Sequence, residues 1–126
     1  MVHLGQALTE LRDPPVNALF VYNCNPVATA PAQALVERGL AREDLFTVVH
    51  EQVMTDTARW ADVVLPATVF LEHREIRRGY GVMRLYDSAA VATPEGEARS
   101  NNQLFGALLD RLGLAIDGEA RTDEEL

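Results

Sequence analysis

Three short apolar runs constrain the fold of this chain more than any other feature: ALFVY at 18–22, FTVVHE at 46–51 and DVVLP at 62–66. Each is too short for a buried helix and rich in β-branched or aromatic residues, which is the pattern of a strand. An uninterrupted apolar run, as in ALFVY, predicts a strand buried on both faces. Between the first two runs lies a helical stretch: Thr29 is placed to cap a helix that tolerates Pro31 in its first turn, runs through Gln33, Leu35 and Val36, and stops at Gly39. Strand, helix, strand with a right-handed crossover makes the two strands parallel. Between the second and third runs there is room only for a two-turn helix at about Thr55 to Trp60. The pattern is that of an α/β fold with a mainly parallel sheet.

The flanking segments are read in the same way. Leu4, Ala7, Leu8 and Leu11 share one face at helical spacing, and Asp13-Pro14-Pro15 ends that opening helix. A strand is expected within MRLYDSAAV at 83–91, after a turn marked by Gly79 and Gly81. Ser100-Asn101-Asn102-Gln103 is a capping box, followed by an apolar face of Leu104, Phe105, Leu108, Leu109 and Leu112 and closed by Gly113. Thr122-Asp123-Glu124-Glu125 resembles a second capping box. Residues 1–114 are therefore expected to form one domain, and 115–126 an acidic tail or the start of a helix.

Charge and composition narrow the function. At 126 residues the chain has the size of one globular domain. A net charge of −8 argues against nucleic acid, whose binding relies on Lys and Arg at phosphates; the eleven basic residues cluster only at Arg74, Arg77 and Arg78. No apolar stretch approaches the ~20 residues of a membrane span, and the N-terminal residues lack the pattern of a signal peptide, so no membrane partner and a cytoplasmic setting are expected. Cys24 is the only cysteine, and His3, His50 and His73 have no ligand-like spacing, so no metal site is expected.

In an open parallel sheet, ligands bind at the carboxyl ends of the strands. Here those ends are residues 23–28, 50–54 and 66–69. The first loop, NCNPVA, has no glycine and hence no G-x-G-x-x-G fingerprint, which argues against ordinary nicotinamide dinucleotide binding. Asn25 could hydrogen-bond a base or ribose, or Asn23 and Asn25 could simply satisfy turn backbone. Glu51, at the end of the second strand, is placed either to hold ribose hydroxyls or to stand as a solvated carboxylate. Asp62 reads as an anchor for a turn, Glu72 and His73 as a polar loop, and Cys24 as a small packed residue.

The stretch FTVVHEQVMTDTARWADVVLPATVFLEH at 46–73, with Thr57-Ala58, Ala61-Asp62-Val63-Val64-Leu65-Pro66 and Glu72 at its centre, resembles the third domain of the molybdopterin oxidoreductase superfamily, that of dimethyl sulfoxide reductases, formate dehydrogenases and nitrate reductases. FVYNCNPVATAP at 20–31 is similar to the segment opening that domain and GEARSNNQLFGALLDRLGL at 96–114 to its closing helix. The resemblance implies a three-layer Rossmann-like domain that holds a nucleotide arm of molybdopterin guanine dinucleotide in a longer enzyme, with the remaining domains of that enzyme as its partners. By position, Asn23, Asn25, Pro26 and Thr29 match the first cofactor-facing loop, and His50, Glu51 and Thr55 the second. No residue matches the molybdenum ligand or the amino-terminal cysteine cluster, so the isolated chain is expected to be inactive and empty of cofactor. Residues 74–92 depart from the family pattern. Two alternatives stand beside this reading: a cofactor-free scaffold domain of the related large iron–sulfur subunit of NADH dehydrogenase, and an unrelated small nucleotide-binding regulator.

Overall fold

The computed structural model describes residues 2–126, which divide into two compact units at the junction of Pro66 and Ala67. The first contains helix α1 (Leu4–Glu10), strand β1 (Ala18–Tyr22), the single helical turn α2 (Pro26–Thr29), helix α3 (Gln33–Leu40), strand β2 (Phe46–Glu51), a 3₁₀ turn (Ala58–Trp60) and strand β3 (Val63–Pro66). The three strands form one parallel sheet in the order β1-β2-β3, with Phe20 opposite Val48, and His50 between Tyr22 and Leu65. The expected α/β fold with a parallel sheet is thus present.

Burial in this unit is concentrated on one face of the sheet. Leu8, Val27, Ala30, Val36, Leu40 and Leu45 form a cluster against which Leu4, Val16 and Leu19 pack, and Val21, Val49 and Ala58 form a second beside it. Full burial of a side chain such as Leu8 or Val36 contributes about 1.5–3 kcal/mol. The opposite face carries Phe20, Tyr22 and Phe46, all exposed, with Phe46 at 53%, together with the buried His50. The two-sided burial expected for ALFVY is therefore corrected: β1 lies at the sheet edge, and of its five residues only Val21 is buried.

The helix between β1 and β2 also differs from expectation. Thr29 does not cap it; it ends α2, its hydroxyl donating back to the Asn25 carbonyl at 2.9 Å. The longer helix α3 starts after Ala32, which adopts a left-handed conformation at φ 58°. Nor does Gly39 stop that helix, which continues to Leu40. Gly39 serves close approach instead, since a Cβ there would lie 2.5 Å from the Leu8 Cβ of α1. The predicted two-turn helix after β2 is one 3₁₀ turn, Ala58–Trp60, and the N–H and hydroxyl of Thr57 just before it bond to the Asn25 side chain rather than to a preceding helical turn.

The second unit contains an antiparallel hairpin, β4 (Glu75–Arg78) and β5 (Leu85–Ser88), and helix α4 (Asn101–Leu112). β5 falls within the predicted strand; β4, with its run of charge, gave no apolar signal. Both halves of the Ser100–Gln103 capping box are made, and Gly113 closes α4 at φ 66°. Beyond it, Thr122 opens a 3₁₀ turn (Asp123–Glu125), and buried Asp123 accepts from Asn102 Nδ2 at 2.8 Å.

Candidate cofactor-facing site

The carboxyl ends of β1 and β2 lie side by side in the parallel register, so the loops leaving Tyr22 and Glu51 are neighbours. One side-chain cluster ties them together. Thr57 donates from its backbone N–H (3.2 Å) and its hydroxyl (2.7 Å) to Asn25 Oδ1, while its Oγ1 accepts from the Val27 N–H at 3.0 Å. Thr57 itself is fully buried. Since the Thr57 N–H can only donate, the amide atom facing it is the oxygen, which fixes the orientation of Asn25. Asn25 stands at the N-cap of α2, yet its side chain does not cap its own helix. The orphan Val27 N–H of that first turn is satisfied instead by Thr57 from the neighbouring loop.

The other expected site residues are distributed around this latch. Asn23 is exposed and left-handed at φ 53°, a conformation that Asn tolerates better than most residues. Pro26 is buried as the first residue of α2, where it presents no open surface, and Thr29 is exposed. Thr55 turns inward, its Oγ1 accepting from the Ala58 N–H at 3.2 Å at the start of the 3₁₀ turn. Glu51 is half-buried and accepts from the Gln52 N–H at 2.8 Å. The structure therefore brings Asn25 to the loop carrying Thr55, while Pro26 and His50 point into the protein. The sequence marks Thr57 only as part of the family signature and by its position two residues beyond Thr55 in the second loop.

His50 is 2% exposed. Its Nδ1 lies 3.2 Å from the Leu65 carbonyl, which can only accept, so Nδ1 carries the proton and Nε2 is a bare acceptor. Nε2 is buried and has no hydrogen-bond partner among the described residues. Burial pushes the imidazole below the ordinary histidine range, opposed by the Leu65 hydrogen bond and the Glu51 carboxylate. Burial likewise pushes the Cys24 thiol up, and Glu51 adds to it, so the thiol stays protonated beside Val21, Val49 and Ala58. Asp62 anchors the start of β2, accepting from the Thr47 N–H at 2.7 Å. Glu72 accepts from the Val69 N–H and His73 pairs with the Thr68 hydroxyl, both within a loop of the second unit. Among the described residues no group of three or more His, Cys, Asp or Glu is placed to hold a metal ion, and no helix is long and apolar enough to cross a membrane.

Neither loop carries a lysine or arginine: residues 23–29 read NCNPVAT and residues 50–57 HEQVMTDT. The polar side chains at least partly open to solvent there include the amides of Asn23, Asn25 and Gln52, the carboxylates of Glu51 and Asp56 and the Thr29 hydroxyl, a set without positive charge that matches hydroxyls and a base edge better than a chain of phosphates.

Comparison with known proteins decides the family, because the sequence profile described as molybdopterin oxidoreductase matches residues 3–111. The chain belongs to the molybdopterin oxidoreductase family. Among the relatives of this molybdopterin oxidoreductase segment, the probable oxidoreductase YoaE of Bacillus subtilis (strain 168) is 40% identical over 126 residues, covering 100% of this chain and 18% of the relative. Trimethylamine-N-oxide reductase of Haemophilus influenzae is 28% identical over 120 residues, covering 90% and 14%. Acetylene hydratase from Pelobacter acetylenicus superposes with a TM-score of 0.77 at 29% identity, covering 88% of this chain and 15% of that structure. The molybdopterin oxidoreductase segment thus spans less than a fifth of the length of these relatives. The NADH dehydrogenase scaffold reading finds no support among them.

Proposed function

We propose that this chain is the part of a longer molybdenum enzyme that holds one nucleotide arm of molybdopterin guanine dinucleotide, through the loops at 23–29 and 50–57. The observation that carries the reading is the latched pair of loops at the carboxyl ends of adjacent parallel strands, where an α/β sheet takes its ligands. The chemistry of the two loops favours the nucleoside end of such a cofactor. The Glu51 carboxylate suits ribose hydroxyls and would repel phosphate, and the Asn25 amide suits a polar edge or a hydroxyl. Asn23 and Thr29 add exposed polar groups to the first loop. His50 and Pro26 support the loops from within, and Thr55 holds the turn that carries Thr57.

Bound molybdenum supplies two-electron or oxygen-atom transfer. This chain's own residues bind and orient, and the metal ligand, substrate and reaction belong to the remaining domains of the parent enzyme. The names of the relatives, a trimethylamine-N-oxide reductase and an acetylene hydratase, fit a shared cofactor hold serving different reactions. The exposed apolar face of Phe20, Tyr22 and Phe46 fits the same reading, as surface for those domains to cover.

The test is nucleotide analysis of the purified full-length enzyme that contains this segment. Acid hydrolysis is expected to release guanosine monophosphate in a fixed ratio to molybdenum. Molybdenum with no releasable guanine nucleotide, or with a different nucleotide, would overturn the assignment.

A further inference from the structure

We infer that Thr57 is the positioning residue of this site: it closes the two loops into one rigid piece and turns Asn25 so that the amide meets a ligand only as a donor. The inference rests on the cofactor-holding role proposed above, and its physical content is a hydrogen-bond chain in which every group has one available role. The Thr57 hydroxyl has one proton, which it gives to Asn25 Oδ1, and it accepts the Val27 N–H on the oxygen. The Thr57 backbone N–H goes to the same Oδ1. These three bonds satisfy the first turn of α2, fix the Asn25 side chain about its terminal torsion, and join chain segments 30 to 32 residues apart. With Oδ1 occupied twice, the remaining polar atom of the half-buried side chain is Nδ2, which has no hydrogen-bond partner among the described residues. An amide so held offers two N–H donors and no acceptor, and therefore selects a carbonyl, hydroxyl or ring-nitrogen acceptor on the ligand over a donor.

The locked rotamer also bears on affinity. A ligand meeting a side chain already fixed by other bonds does not have to order it on binding, which removes part of the cost of association. Valine has nearly the shape of threonine but can neither donate to Oδ1 nor accept from Val27, so Thr57→Val releases the amide and leaves a first-turn N–H without a partner. Thr57→Ser keeps both bonds and loses one methyl group.

The experiment uses the full-length enzyme. Cofactor retention is followed by fluorescence of the oxidised pterin released after timed gel filtration, and hydrogen exchange of the peptide spanning residues 23–30 is followed in the cofactor-free form. T57V is expected to lose cofactor roughly tenfold faster than the wild type, the equivalent of one hydrogen bond, and to speed exchange at Val27. T57S should stay within about threefold on both readouts. Retention and exchange in T57V equal to wild type overturn the inference, as does an equal loss in T57V and T57S, which would assign the effect to methyl packing. Should T57V not fold, Asn25→Asp serves: it keeps the acceptor for Thr57 and removes the Nδ2 donors, so native-like exchange at Val27 with lost retention supports the donor role, and unchanged retention overturns it. If the wild-type enzyme binds no pterin dinucleotide, the proposed function fails, while faster Val27 exchange in T57V still supports the latch and unchanged exchange overturns it.

Discussion

A buried neutral histidine links stability to pH. His50 is buried, its Nδ1–H is committed to Leu65, and burial holds its pKa below the ordinary value. The folded protein then binds fewer protons at His50 than the unfolded chain does. Stability from this group is fully present above the unfolded pKa of about 6.5 and is lost as pH falls from there towards the folded value. Thermal melts between pH 7.5 and pH 5 should show a falling Tm below about 6.5, and His50→Asn, which can keep a donor towards Leu65, should flatten that part of the curve. A slope unchanged in the variant would assign the pH dependence to other groups. Thr57 shows the opposite side of residue-scale reading: its partners are Asn25 and Val27, 32 and 30 residues away, so its neighbourhood in sequence gives its place in the second loop but not its partners. The sequence pattern at Asn25 pointed to a turn residue or a ligand contact, and the structure assigns its oxygen to Thr57.

At the scale of the elements, the packing of α1 against α3 depends on two glycines. A Cβ at Gly5 would sit 2.7 Å from Leu35 Cβ, and one at Gly39 2.5 Å from Leu8 Cβ. Gly39→Ala should gain about 1 kcal/mol of helix propensity but cost about 1–3 kcal/mol in forced separation of two packed helices. We expect a net loss of stability by denaturant titration; a more stable variant would show that α1 shifts freely. This contact explains why Gly39 misled as a stop signal, since a glycine needed for packing and one needed for a left-handed cap look alike in sequence. The break between α2 and α3 was hidden for a related reason. Ala32 carries the left-handed turn, and alanine gives no hint of that conformation. The strands and α4 were legible because apolar runs and a Ser–Gln capping box act locally; β4 was not, because it reads EIRR and gains its order from pairing with β5.

At the scale of the whole molecule, the family match over residues 3–111 and the short share of each relative's length fit a segment whose chemistry is completed by the rest of a longer enzyme. ALFVY signalled burial on both faces, yet Phe20 and Tyr22 remain exposed. The pattern in the sequence thus records a more enclosed setting than the described residues provide. The central claim, that the loops at 23–29 and 50–57 receive the cofactor, is tested most directly by hydrogen exchange on the full-length enzyme with and without molybdopterin guanine dinucleotide. Loading should slow amide exchange in peptides covering both loops together, with little change in α4. Exchange in the two loops that is the same in loaded and cofactor-free enzyme would contradict it.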